Sequence, residues 1–161
     1  MNREERREFV ESHRTGLFGY NRRQDGPAMT VVYYVVDGDD LLVSTMAARA
    51  KAKAVKRSQK VSLCVLTETW PFTYVLVYCD AKVETDHDAS VDLGMRIAGV
   101  MAGEPMPEEV RPMIADGVRQ EGRVVLRLTP YATFETPSRH VYSADDINEN
   151  LTHGLGQSLP W

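Results

Sequence analysis

Apolar positions along this chain change period several times, and each change marks an element. Residues 3–13 are mostly charged, with Phe9 and Val10 on one side, which predicts a short amphipathic helix. Arg14-Thr15-Gly16 ends it, and residues 17–21 read as a first strand. Gln24-Asp25-Gly26-Pro27 is turn chemistry. Residues 28–36 are apolar at nearly every position, the pattern of a strand covered on both faces. Asp37-Gly38-Asp39-Asp40 predicts a hairpin turn leading into a strand at residues 41–44.

Residues 47–57 are rich in alanine and lysine, both good helix formers. An alternating strand follows at residues 61–66, then an aromatic corner at residues 69–72. Residues 73–85 predict a long strand with Tyr74, Leu76 and Tyr78 on one face and Val75, Val77 and Cys79 on the other. Asp88 or Ser90 is expected to cap a helix reaching about residue 102. After Gly103-Glu104-Pro105-Met106-Pro107 a second helix is expected at 108–120. Residues 123–130 open a last strand that resumes at 131–136. The polar, glycine-containing tail from residue 145 is expected to be loosely held or docked on a partner. Strands joined by hairpins, with helices set to one side, predict an α+β fold in one domain spanning 1–161, its core at about 5–136.

Composition narrows the function. A chain of 161 residues can bury a continuous core without staples. Its net charge of −4 argues against general nucleic-acid binding, which needs a basic surface. No apolar run approaches the ~20 residues of a membrane span. Its charged first residues resemble no signal segment, so a cytoplasmic location is expected. Cys64 and Cys79 sit in apolar runs without metal-ligand spacing and read as buried thiols. His13, His87, His140 and His153 show no metal spacing, and no Ser/His/Asp arrangement is apparent.

Charge distribution changes the picture most. Of 19 basic residues, Arg49, Lys51, Lys53, Lys56, Arg57 and Lys60 fall between Leu41 and Thr67, a stretch with no Asp or Glu. Ser44-Thr45 precede them where a strand meets a helix start. Helix N-termini carry partial positive charge and usually attract acids, so Arg49 and Lys51 in a first turn are unfavourable unless an anion lies between them. Phosphate is the expected ligand of Ser44, Thr45, Arg49 and Lys51. Lys53, Lys56, Arg57 and Lys60 read equally as a solvated helix face.

These residues carry a resemblance. His13-Arg14-Thr15-Gly16-Leu17-Phe18, Asp25-Gly26-Pro27 before an apolar strand, Leu42-Val43-Ser44-Thr45, and Arg49-Ala50-Lys51 with Val55 resemble the pyridoxamine 5′-phosphate oxidase-like split β-barrel superfamily. The actinobacterial branch that uses the deazaflavin coenzyme F-420 is the most similar. The resemblance implies a six-stranded antiparallel split β-barrel with flanking helices, and a homodimer with two cofactor sites at the interface. It implies phosphate binding by Ser44, Thr45, Arg49, Ala50 and Lys51, with the ring along Met29, Thr30, Val31 and Val32. Trp70 and Tyr74 of the second subunit would close the site, and Tyr33 or Tyr34 would touch ring or substrate. F-420 carries a glutamyl tail beyond its phosphate, which Lys53, Lys56 and Arg57 would attract. The implied activity is hydride transfer between the reduced cofactor and a small unsaturated or heteroaromatic acceptor. FMN in the same fold, or a non-catalytic carrier of flavin, deazaflavin or tetrapyrrole, are the alternatives.

Overall fold

A computed structural model describes residues 1–69, 73–135 and 157–161. Along the chain these form α1 (Arg3–Ser12), β1 (Thr15–Tyr20), β2 (Ala28–Tyr33), β3 (Val35–Asp37), β4 (Asp40–Met46), α2 (Ala50–Ser58), β5 (Lys60–Leu66), β6 (Tyr74–Glu84), α3 (His87–Ala102), α4 (Arg111–Glu121), β7 (Arg123–Glu135) and β8 (Gln157–Leu159). The aromatic corner with Trp70, and the tail up to residue 156, lie outside the described residues.

The strands make one antiparallel sheet in the order β2-β1-β5-β6-β7-β4-β3, with β8 added to β7. Its two ends, β2 and β3, follow each other in the chain through Tyr34 alone. The sheet therefore curls back on itself, and β2 passes beside β4 to give a split barrel. The single strand expected at 28–36 is two strands here. At Tyr34 the chain leaves β1 and pairs with β4 instead, so no single ladder continues through it. The Tyr34 ring is buried and its hydroxyl donates to the Val10 carbonyl of α1. With the short β8, the strand count exceeds the expected six.

The inside of the curl is apolar. Phe18, Leu41, Val43, Leu63, Val65, Val75, Val77, Leu126 and Leu128 are fully buried there. Each such side chain contributes about 1.5–3 kcal/mol on leaving water. β6 alternates as its sequence predicts, with Val75, Val77 and Cys79 buried and Tyr74, Leu76 and Tyr78 half-buried on the opposite face. α3 packs on the outside of β3, β4 and β7 through Leu93, against Val35, Leu42 and Val125.

Five local expectations are corrected. β2 is not covered on both sides: Met29 is 69% exposed and Val31 70%, because β2 is an edge strand whose outer face is left largely open by the described residues. α2 begins at Ala50, after a turn at residues 47–48, leaving Arg49 as its N-cap. Asp86 caps α3 by accepting from the Ala89 amide. β7 is continuous, and Pro130 is tolerated because the register against β6 slips there, leaving Tyr131 as an extra residue. The last described residues are docked on their own chain: Trp161 is buried, its indole N–H donates to the Asp39 carbonyl, and Arg7 stacks 5.3 Å from its ring.

Candidate functional site

Where β2 meets β4, at the closing seam of the barrel, lies a cleft of about 340 Å³. Val31, Val32, Ser44, Thr45, Arg49 and Lys51, all expected site residues, line it together. The fold brings them there by simple means. β4 carries Ser44 and Thr45 to the seam, and the turn after it delivers Arg49 and Lys51 at the start of α2. No side chain caps α2, so the amides of its first turn are open to a ligand.

Electrostatics favour an anion here. Among the described residues neither Arg49 nor Lys51 forms an ion pair, although most arginines elsewhere in the described sheet and helices do. Lys51 is half-buried, with its ammonium 5.9 Å from the centre of the Phe18 ring. Burial first, and the Arg49 charge second, pull its pKa below the ordinary lysine value. Two adjacent cations without a carboxylate, one of them partly desolvated, are mutually destabilising until a negative group joins them.

The other wall is apolar. Val31 and Tyr33 of β2 face Ile97 and Met101 of α3 across the opening. Thr30 is turned the other way, opposite Phe18, and its buried hydroxyl oxygen has no hydrogen-bond partner. Met29 continues the exposed face of Val31 but does not line the cleft. The donor set, a cationic corner beside an apolar slot, fits a planar molecule carrying a phosphate.

Four lining residues were not foreseen: Met46, Ile97, Met101 and Arg123. Arg123 opens β7, pairs in register with Met46, and donates to the Ser44 hydroxyl at 3.2 Å. Tyr33 lines the cleft, whereas Tyr34 is held inside by α1. Tyr74 lies on the outer face of β6, opposite Leu66, away from this cleft.

A second cleft of about 460 Å³ flanks the same helix end. Ala50, Lys53 and Arg57 of α2 line it with Arg22 and Arg23 of the β1–β2 connection. Arg57 donates to the Asn21 carbonyl at 2.6 Å, and Arg22 pairs with Asp25 at 3.1 Å. Lys56 is exposed and lines neither cleft. A larger groove of about 1310 Å³ runs between α1, β3 and α3; its Arg96 and Arg111 are paired with Asp37, Asp92 and Glu108, and Arg14 lines it without a carboxylate partner among the described residues. Among the described residues no cluster of His, Cys, Asp and Glu is placed to hold a metal, and no helix is long and apolar enough to cross a membrane. Both thiols are free; burial pushes Cys64 and Cys79 upward, which makes them poor nucleophiles.

The sequence model described as pyridoxamine 5′-phosphate oxidase matches residues 3–136. The chain belongs to that family. Solved structures share its fold. A conserved hypothetical protein from Mycobacterium tuberculosis is 22% identical with a TM-score of 0.73, over 90% of this chain and 94% of the other. An F-420 reductase is 19% identical with a TM-score of 0.61, over 78% and 93%. A FAD-binding protein from Mesorhizobium loti is 15% identical with a TM-score of 0.60, over 83% and 92%. Among curated proteins none matches. This member of the oxidase family thus has a split barrel with Arg49 and Lys51 side by side at its seam.

Proposed function

We propose that the chain is an F-420-dependent oxidoreductase that moves hydride between the reduced deazaflavin and a small unsaturated or heteroaromatic acceptor. The observation that carries this reading is the pair Arg49 and Lys51, both without carboxylates, at one end of a slot whose other end is apolar. In the bound state the deazaflavin ring would supply the hydride, and the protein supplies position, water exclusion and charge. Ser44, Thr45, Arg49 and Lys51 would hold the phosphate. Val31 and Val32 would support the ring. The second cleft supports F-420 over FMN, because Arg22, Arg23, Lys53 and Arg57 stand where an anionic tail leaving the phosphate would pass. The structural likeness to an F-420 reductase agrees with this preference.

The working unit in this proposal is a homodimer. The outer face of β2, β5, β6 and β7 carries Met29, Val31, Leu66, Tyr78 and Tyr131, an apolar surface suited to a second copy. Tyr74 belongs to the same face and would close the partner's slot together with Trp70. FMN is the second reading, supported by the flavin-binding relative. Titrating the cofactor-free protein with F-420 and with FMN, at low and high ionic strength, separates the two. F-420 should bind more tightly, with the gap narrowing as salt rises. FMN binding at least as tight as F-420 would reverse the assignment. Absence of turnover with enones, quinones and bilins, despite tight binding, would make the protein a carrier.

A further inference from the structure

Arg123 shares no local sequence pattern with Ser44 or Arg49, yet the fold ties it to both. Three links form one unit. Arg123 is the register partner of Met46 across β4 and β7. The Ala47 amide donates to the Gly122 carbonyl at 2.9 Å, fastening the turn before α2 to the end of α4. The Arg123 guanidinium donates to the Ser44 hydroxyl oxygen at 3.2 Å. Gly122 makes this approach feasible: its φ of 59° reverses the chain directly from α4 into β7.

The hydroxyl of Ser44 has one proton to give and two lone pairs to receive with. A guanidinium can only donate, so the Ser44 oxygen is the acceptor in this bond and its proton is directed elsewhere. No other partner for that proton exists among the described residues. Both side chains line the anion cleft, and Arg123 is half-covered, with its Nε engaged by the Glu121 carboxylate. The Glu121 charge holds the guanidinium away from full engagement with an anion.

We propose that Arg123 is a positioning residue of the anion subsite: it fixes Ser44 as a donor toward the phosphate oxygen, and Glu121 restrains it until the ligand arrives. The inference rests on the reading of the cleft as a phosphate site. It implies that the α3–α4 segment, through its junction with β7, belongs to the binding machinery. It also implies that Glu121 weakens binding.

The test is a double-mutant cycle on the dissociation constant of F-420 or FMN, whichever the unaltered protein binds more tightly, read by fluorescence titration. Arg123→Gln and Ser44→Ala should each weaken binding roughly tenfold or more, the loss of one charge-assisted or directed hydrogen bond. The double variant should be no weaker than the poorer single, because both act through one contact. Arg123→Lys keeps the charge and loses the fork, and should restore only part of the affinity. Glu121→Gln should bind more tightly than the unaltered protein. Additive losses in the cycle, or unchanged affinity in Arg123→Gln while Arg49→Ala still weakens binding, would overturn this inference and leave the cleft standing. Unchanged affinity in the Arg49→Ala, Lys51→Ala double variant would remove the phosphate reading itself. Thermal denaturation of each variant excludes a folding defect, and Ser44→Ala keeps the cycle readable should Arg123→Gln fail to fold.

Discussion

The ammonium of Lys51 stands 5.9 Å from the centre of the Phe18 ring, so a half-buried cation rests on a fully buried aromatic face of the barrel wall. Its partner in the cleft, Arg49, is exposed, and neither has a carboxylate partner among the described residues. The arrangement holds charge in place for a ligand and gives the fold little in return. Lys51→Ala or Arg49→Ala should therefore weaken cofactor binding by about 1.5–3 kcal/mol each. The thermal midpoint should stay within a few degrees of the original. Fluorescence titration beside a melting curve measures both.

Binding should also fail on the alkaline side earlier than an ordinary lysine would dictate. Lys51 titrates below its usual 10.5, chiefly through burial and then through Arg49. Phosphate favours the charged lysine, so affinity is full at neutral pH and declines as pH rises through the lowered value. Without ligand the sign is opposite. Between the lowered value and 10.5 the unfolded chain holds a proton the folded chain has released, so stability rises with pH in that window. Titrations and melting curves from pH 7 to 11, with Lys51→Met as the control that abolishes both trends, test this.

A different charge cluster should govern acid stability. Arg127 donates to Glu84 at 2.9 Å, Asp37 at 3.0 Å and Asp40 at 3.1 Å. Hydrogen bonds from Arg127, then from Arg96, hold the Asp37 carboxyl below its usual range. Burial pushes Glu84 upward, but hydrogen bonds from Lys82 and Arg127 outweigh it and keep it low. Folded values below unfolded ones mean stability that is present above about pH 4.5 and is lost as pH falls through the lowered values. Arg127→Met should cost roughly 1–3 kcal/mol at neutral pH, discounted because water reaches Asp37, and should move the acid-unfolding midpoint upward. Acid titration followed by circular dichroism provides the comparison.

The buried end of the chain should matter to folding and not to binding. Trp161→Ala removes a ring that packs in the core beside α1, together with its bond to Asp39. About 3–5 kcal/mol of stability should go, the usual cost of truncating a buried tryptophan. Urea unfolding measures it. Cofactor affinity in the remaining folded protein should be unchanged.

The exposed edge of β2 gives the sharpest assembly test. Val31→Asp puts a charge on the face proposed for a second copy, where the unaltered side chain is 70% exposed in the single chain. The fold should persist and the dimer should dissociate, with cofactor affinity falling alongside. Light scattering coupled to size-exclusion chromatography reads the mass. A monomer before any substitution would refute the dimer.

Local chemistry set much of this protein in the sequence itself. Alternation in β5 and β6, the Asp37–Asp40 turn, and the acid-free stretch around Arg49 and Lys51 all follow from neighbouring residues, and each appears where expected. Periodicity reports which side of an element is apolar. It does not report whether anything covers that side, so the uniform run 28–36 looked buried while β2 turned out to be an edge. Nor does it bring distant segments together. Arg123 reaches Ser44 only because β4 and β7 pair in one register, and Ile97 and Met101 line one cleft with Val31 only because α3 packs on β3, β4 and β7. Such contacts depend on the closure of the barrel, a long-range packing choice with no local pattern to announce it.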